Sequence, residues 1–284
     1  MSRWRALSVA AAAALCGCSL IVATDGLSDG AGGALGDRAD GGDGGSPATG
    51  DGSTMTDAGA ESGGEDAASD AGTPPFCASL SPKPRYCADF DKGTIFDYGR
   101  LVGTPTLDTG VSKSAPASML AMVEADATER DSKTYEDFTE TPQSFDVAFD
   151  ILVEEYDGAH DVELGNVVLS QPSNKSCILG VAVRGGQWCF DESCGNGSSY
   201  TVNLDHRSSI SLQRSQWVHV AFSASFVSQT FSVTVDGQSA FADVPLQAGV
   251  ATGTASLAMG INYLQTAATS RAKLHVDNVT FDDK

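Results

Sequence analysis

The chain is 284 residues long and carries 37 acidic against 17 basic side chains, a net charge of −20. So large an acidic excess repels phosphate backbones and argues against nucleic acid as a partner. Aromatic residues make up only 7% of the chain, and none falls between Trp4 and Phe76, so an apolar core can form only in the later part.

Arg3 and Arg5 precede a ten-residue apolar stretch, Ala6 to Leu15, which ends in Leu15-Cys16-Gly17-Cys18. This is the layout of a cleaved export signal, too short to span a bilayer. The segment resembles a bacterial lipoprotein signal peptide with its lipobox. The resemblance implies removal of residues 1–17, with Leu15 three positions before Cys18 and the small Gly17 at the cut. It also implies acylation of the new N-terminal Cys18, which makes the lipid membrane the expected partner. More than one acyl chain is needed for stable anchoring. Ser19 stands where the family associates Asp with inner-membrane retention, so the implied address is the outer-membrane side of a cell envelope, its periplasmic or surface face left open. An ordinary signal peptide cut at an Ala-x-Ala-like site, or an uncleaved anchor, is the competing reading.

Residues 18–75 form the next unit. From Ala23 to Pro75 they are dominated by Gly, Asp, Ala, Ser and Thr, with eleven acids against the single base Arg38. Such a stretch cannot bury enough apolar area to offset its ordering entropy, and its charge extends it. It is predicted to be a disordered acidic tether, with a root-mean-square span of about 40 Å and a fully extended reach beyond about 150 Å. The run Asp40-Gly41-Gly42-Asp43-Gly44-Gly45 lacks the spaced apolar residues that calcium-binding β-helix repeats pack together, so a solvated linker is expected.

Residues 76–284 hold 14 bases against 26 acids and show period-two alternation throughout. Phe145, Val147, Phe149, Ile151 and Val153 share one face, with Asp146, Ala148 and Asp150 on the other. Gly185-Gly186 separates the apolar run 177–183 from Gln187-Trp188-Cys189-Phe190, which reads as a hairpin. Val218, Val220 and Phe222 alternate next, then Phe231, Val233 and Val235 before the turn Asp236-Gly237. Leu257, Met259 and Ile261 follow, and then Leu274, Val276 and either Val279 or Phe281. No window shows a convincing helical period. The prediction is an all-β, antiparallel domain.

Gln216-Trp217-Val218-His219-Val220-Ala221-Phe222, followed by Phe231 to Gly237, resembles the paired strands of laminin-G-like and concanavalin-A-like jelly rolls. The opening segment from Phe76-Cys77 to Asp91 and the closing His275 to Phe281 resemble the first and last strands of such domains. The resemblance implies a β-sandwich over 76–284.

Five cysteines remain once Cys16 is removed and Cys18 acylated, and an oxidising envelope favours bridges among them. Cys77 and Cys87 enclose a short proline-containing loop and are the expected pair. Among Cys177, Cys189 and Cys194 the choice stays open. A hairpin tipped by Gly185-Gly186 sets Cys177 opposite Cys194, local closure joins Cys189 to Cys194, and Cys177 with Cys189 is the third possibility. A buried, inert cysteine is the expected fate of the one left over.

Some concanavalin-A-like folds hydrolyse glycosides with two closely placed carboxyls on one strand, in a Glu-x-Asp-x-Glu pattern that this chain lacks. Asp146 and Asp150 share a face but stand roughly 13 Å apart along a strand. Glu129 and Asp131 have the right spacing but lie in a polar stretch that reads as a solvated loop. The four histidines, 160, 206, 219 and 275, form no local metal or triad pattern, and His219 and His275 are expected on an exposed sheet face. No catalytic residue is assigned.

Carbohydrate-binding relatives stack sugars on exposed rings, which makes Trp188, Tyr200 and Tyr263 the ligand-binding candidates. Trp217 matches a strand residue that more often packs in the core. A structural calcium ion is a further habit of the fold, for which Asp89, Asp91 and Asp277 are the available ligands. The expected function is a non-catalytic binding module for saccharide or another extracellular polymer. A glycoside hydrolase with carboxylates from separate strands and a structural envelope protein without a small ligand are the alternatives. The hydrolase reading requires at least two carboxyls within about 10 Å in a groove.

Overall fold

The computed structural model describes residues 74–196, 199–247 and 249–284, with the side chains at 173 and 199–203 outside that description. The signal segment, Cys18 and the tether as far as residue 73 lie outside the described residues.

A one-turn helix, α1 (Phe76–Ser79), precedes β1 (Tyr86–Ala88), β2 (Arg100–Val102), β3 (Thr106–Asp108), β4 (Ser118–Val123), β5 (Ser132–Asp137) and β6 (Ser144–Glu155). The chain continues through β7 (Val162–Gln171), β8 (Lys175–Arg184), β9 (Gln187–Asn196), β10 (Ser199–Ser211) and β11 (Trp217–Ser225). It ends with β12 (Thr230–Val235), β13 (Gln238–Pro245), β14 (Thr254–Leu264) and β15 (Ala272–Asp283).

These strands form two antiparallel sheets. One runs β13-β12-β11-β6-β15-β4-β3, with β1 also paired to β15, and the other runs β10-β9-β8-β7-β14-β5-β2. The predicted all-β sandwich is therefore the observed fold. Strands distant in sequence lie side by side, as β15 does between β6 and β4.

The alternation read from the sequence decides which side chains face between the sheets. On β6, Phe145, Val147, Phe149, Ile151 and Val153 are each at most 3% exposed, while Asp146 on the opposite face is exposed. Rings join the layers: Phe190 stacks on Phe231 with centroids 4.0 Å apart and meets Phe222 at 6.2 Å. Such pairs add about 0.5–1.5 kcal/mol each beyond their burial.

Two hairpin tips follow their glycine signals. Gly185 and Gly186 have φ of 57° and 75°, the left-handed conformation that a two-residue turn between twisted strands requires. Asp236 and Gly237 do the same with 49° and 72°. The first tip sets Cys177 opposite Cys194 and Ala182 opposite Cys189. That register selects among the three possible pairings: the bridges are Cys77–Cys87 and Cys177–Cys194, and Cys189 is a buried free thiol.

Candidate functional site

The outward face of the seven-stranded sheet carries an unusual set of side chains. Leu179, Val181 and Val183 on β8 belong to the core, so alternation turns Gly180, Ala182 and Arg184 outward. By the same rule β9 presents Cys189 and Asp191, β7 presents Glu163 and Asn166, and β5 presents Lys133 and Tyr135. Asn166 lies between Gly180 on one neighbouring strand and Ala258 on β14. A Cβ on Gly180 would stand 2.5 Å from the Asn166 Cβ and 2.6 Å from the Gly165 carbonyl oxygen, so the glycine is what lets Asn166 sink into the sheet surface. Although they are turned away from the core, Asn166, Arg184 and Asp191 are only 7–8% exposed. Asn262, at the irregular end of β14, is buried to the same degree.

Arg184 organises the charges. Its guanidinium reaches Asp161 at 2.9 Å through Nε, grips both carboxylate oxygens of Asp191, and meets Asp205 Oδ1 at 3.1 Å. Asp205 in turn accepts from Arg207 Nε at 2.9 Å. Three carboxylates from separate strands or strand ends therefore converge on one cation. Half-buried Glu163 lies within their field. Loss of solvent and then the Asp191 charge raise its pKa, against Arg184 and Lys133, to about 7. Cys189 on the same face is inert, since burial pushes its thiol up to about 12.

Two acceptors on this face are unsatisfied. Asn166 Oδ1 and Asn262 Oδ1 are buried without a hydrogen-bond partner. Each such orphan costs about 1–3 kcal/mol, a penalty that a ligand donating hydrogen bonds removes once the side chains covering these oxygens move aside. Asn262 Nδ2 donates to the Ala258 carbonyl at 3.3 Å, which orients the amide. Lys133 Nζ donates to the Asn262 carbonyl at 3.3 Å and pairs with Asp131 at 3.0 Å.

Of the ring candidates, Tyr263 is half-buried and pairs in register with Glu163. Tyr135, with the Arg100 guanidinium 4.8 Å from its ring centroid, is a second tyrosine on the same sheet. The Tyr200 side chain lies outside the described residues. Trp188 corrects the sequence reading. It is 1% exposed and packs between the sheets, with its indole N–H unpartnered, because strand alternation turns it inward beside the hairpin tip. Trp217 is also displaced from its expected core position. It stands on the outward face of β11 and packs edge-on against His275 with ring centroids 6.5 Å apart.

His275, expected to be exposed, is 0% exposed. Ser118 Oγ lies 3.2 Å from its Nδ1 and Glu154 Oε1 3.1 Å from its Nε2. Burial lowers its pKa, against the pull of Glu154 and Asp108. His219 is exposed as expected and pairs through Nδ1 with Asp150 Oδ1 at 3.0 Å, which raises its pKa.

The three aspartates proposed for calcium sit near the junction of the first and last strands. Asp89 accepts from the Cys77 and Asp91 backbone N–H groups at 3.2 and 3.4 Å. Asp277 accepts from the Lys113 and Ser114 N–H groups at 2.9 Å each, and burial raises its pKa to about 6. Both carboxylate oxygens of Asp91 are buried with no hydrogen-bond partner. Burial and then the Asp89 charge raise its pKa, while the Ala117 N–H opposes the rise without reaching hydrogen-bond geometry. Among the described residues no three His, Cys, Asp or Glu side chains converge into a metal cluster. Of these three aspartates, Asp91 is the one whose carboxylate has no hydrogen-bond partner, and a hard cation bound there would complete its shell with carbonyl or water oxygens.

No protein-family model matches the chain, and no curated protein matches it. Among solved structures, the chain is similar to cellulose induced protein Cip1, with TM-score 0.50 and 11% identity over 70% of this chain and 97% of that one. It is also similar to a botulinum neurotoxin type C structure described for cell entry dependent on two ganglioside molecules, with TM-score 0.45 and 10% identity over 65% of this chain. A third is the binding domain of botulinum neurotoxin DC in complex with SialylT, with TM-score 0.44 and 9% identity over 65% of this chain. The match spans 43% and 42% of those two neurotoxin chains. What the likeness to Cip1 carries is the fold, an antiparallel β-sandwich.

Proposed function

We propose that this chain is an envelope lipoprotein, held by acylated Cys18 on the outer-membrane side and displaying its β-sandwich, at the end of the acidic tether, as a saccharide-binding module. The observation that carries the binding reading is the pair of buried, unsatisfied amide oxygens of Asn166 and Asn262 on an outward sheet face beside Tyr263. Sugar hydroxyls donate to such acceptors, and sugar faces stack on rings. The test is a glycan array with the full chain, followed by titration of the best glycan against Asn166→Ala. That substitution is expected to weaken binding by about tenfold or more, since each hydrogen bond lost to a buried polar site is worth 1.4 kcal/mol or above. Thermal stability is expected to hold or rise, because the orphan acceptor goes with the side chain. Equal binding by the variant overturns the site. Mass spectrometry of the mature N-terminus tests the anchor, and an unmodified Cys18 defeats it.

A second reading, cleavage of the bound glycan, is favoured by Glu163. A carboxyl whose pKa is raised to about 7, two strands from the Arg184-held Asp191 and within its field, suits the division of labour between a general acid and an ionised partner. Glycan hydrolysis abolished by Glu163→Gln, with binding retained, would establish it.

Asp91 is proposed to hold a calcium ion that braces the first strand against the last. Calcium is expected to raise the melting temperature of the wild type and to leave Asp91→Asn unchanged, as read by thermal denaturation with and without chelator. The effect should shrink as pH falls, because protons compete for a carboxylate whose pKa is already raised.

A further inference from the structure

Among the described residues, three acceptors on the outward face of the seven-stranded sheet have no donor. Asn166 Oδ1 and Asn262 Oδ1 are buried without a hydrogen-bond partner, in residues 8% and 7% exposed. Glu163 is the third: it makes no hydrogen bond, and only burial and neighbouring charges act on it. The pairing of β7 with β14 brings the three together. Glu163 faces Tyr263 across the strands, and Asn166 faces Ala258. Asn262 precedes Tyr263 in the chain and donates through Nδ2 to the Ala258 carbonyl at 3.3 Å, so its side chain lies along the stretch between those two positions.

The cations nearest these acceptors are already committed. Lys133 pairs with Asp131 at 3.0 Å and donates to the Asn262 backbone carbonyl, Arg184 is shared by Asp161, Asp191 and Asp205, and Arg207 pairs with Asp205. With Glu163 these groups make five acids against three bases, so the face keeps a negative excess. A ligand suited to it brings hydrogen-bond donors and positive charge together. A hydroxyl donates one hydrogen bond and no charge, and an N-acetyl amide adds an acceptor of its own. A primary ammonium donates three and carries the charge. The half-buried Tyr263 ring, opposite Glu163, sets beside these acceptors a surface on which a sugar ring stacks. We infer that the saccharide held on this face is an amino sugar with a free ammonium group, paired with Glu163 and donating to Asn166 and Asn262 once the side chains over those oxygens move aside. The inference rests on the saccharide-binding reading and not on cleavage, because a carboxyl paired with an ammonium is ionised and has no proton to give.

Calorimetric titration of the full chain at neutral pH and fixed ionic strength tests this with a glucosamine tetramer, its N-acetylated form, a glucose tetramer and tetralysine. The glucosamine tetramer is expected to bind about tenfold or more tightly than each of the others, the worth of one charge-assisted hydrogen bond. Glu163→Gln keeps the shape of the side chain and is expected to remove most of that preference. Asn166→Ala keeps the charge of the chain and is expected to weaken binding of the glucosamine tetramer by about tenfold. Equal binding of the N-acetylated or glucose tetramer overturns the inference and leaves the saccharide reading standing, as does binding confined to other glycans of the array. Absence of binding by every glycan defeats both. Tetralysine binding as tightly, or a preference undiminished in folded Glu163→Gln and Asn166→Ala, also overturns the inference, since the amine would then be a counterion to a chain of charge −20.

Discussion

Replacing Arg184 with methionine is expected to destabilise the domain by about 3–5 kcal/mol, the penalty for removing one partner of a buried ion pair. Arg184 is 7% exposed, and its removal leaves Asp191, 8% exposed, without its cation. Asp161 and Asp205 are better hydrated and should contribute less. The loss should depend on pH in a definite direction. Burial already raises the Asp191 pKa against the pull of Arg184, and without the guanidinium it rises further above its unfolded value, so the folded variant binds the extra proton. The deficit is therefore smallest below the unfolded carboxylate pKa of about 3.9 and grows as pH rises toward neutrality. Urea denaturation at acidic and neutral pH measures it. Arg184→Met combined with Asp191→Leu should recover most of the stability, because an apolar pair needs no compensation. A single-variant loss below about 1 kcal/mol would show that the three carboxylates do not depend on this guanidinium.

Removing the Cys177–Cys194 bridge by substituting both residues with alanine is expected to lower stability by about 3 kcal/mol. The bridge closes a segment of 17 residues, and the unfolded chain regains the corresponding loop entropy. It joins β8 and β9 towards the ends remote from the Gly185-Gly186 tip, so two constraints hold this hairpin in register. Cys189→Ala is the internal control. That thiol points outward and belongs to no bridge, so its loss should matter far less, and thermal melts of the two variants should differ by several degrees. Equal melting temperatures would mean that the tip and the strand ladder alone determine the register.

Much of the sandwich can be read from local pattern. Phe145 to Val153 on β6 and Val218 to Phe222 on β11 alternate cleanly because each strand has one face in the core and one in solvent. Gly185-Gly186 likewise predicts its own turn, and that turn fixes the cross-strand partner of Cys177 by counting. Trp188 shows where local reading fails. Proximity to a turn suggested exposure, but the register turns the ring inward, and a one-residue shift would have reversed the outcome. His275 fails for a different reason. It does point away from the core, yet Ser118, Glu154 and Trp217, all remote in sequence, crowd around it.

The candidate site itself had little local signal. Glu163, Asn166, Arg184, Asp191 and Asn262 form no motif, and each could pass for an ordinary polar residue on a solvated strand face. Their unusual burial arises because β7, β8, β9 and β14 lie adjacent and because Gly180 and Ala258 present almost no side chain beside Asn166. The convergence of Asp161, Asp191 and Asp205 on Arg184 is equally a product of strand order.

By itself the amino-acid sequence determined the acidic character, the division between a ring-free leading segment and a core-forming remainder, the all-β alternation and the two hairpin tips, since these depend on composition and on neighbours a few residues apart. Only the tertiary structure decided how deeply His275 is buried and which polar groups are left unsatisfied on the outward sheet faces. Those outcomes depend on which strands become neighbours across long sequence separations, and in a sandwich such pairings are set by the closure of the whole core.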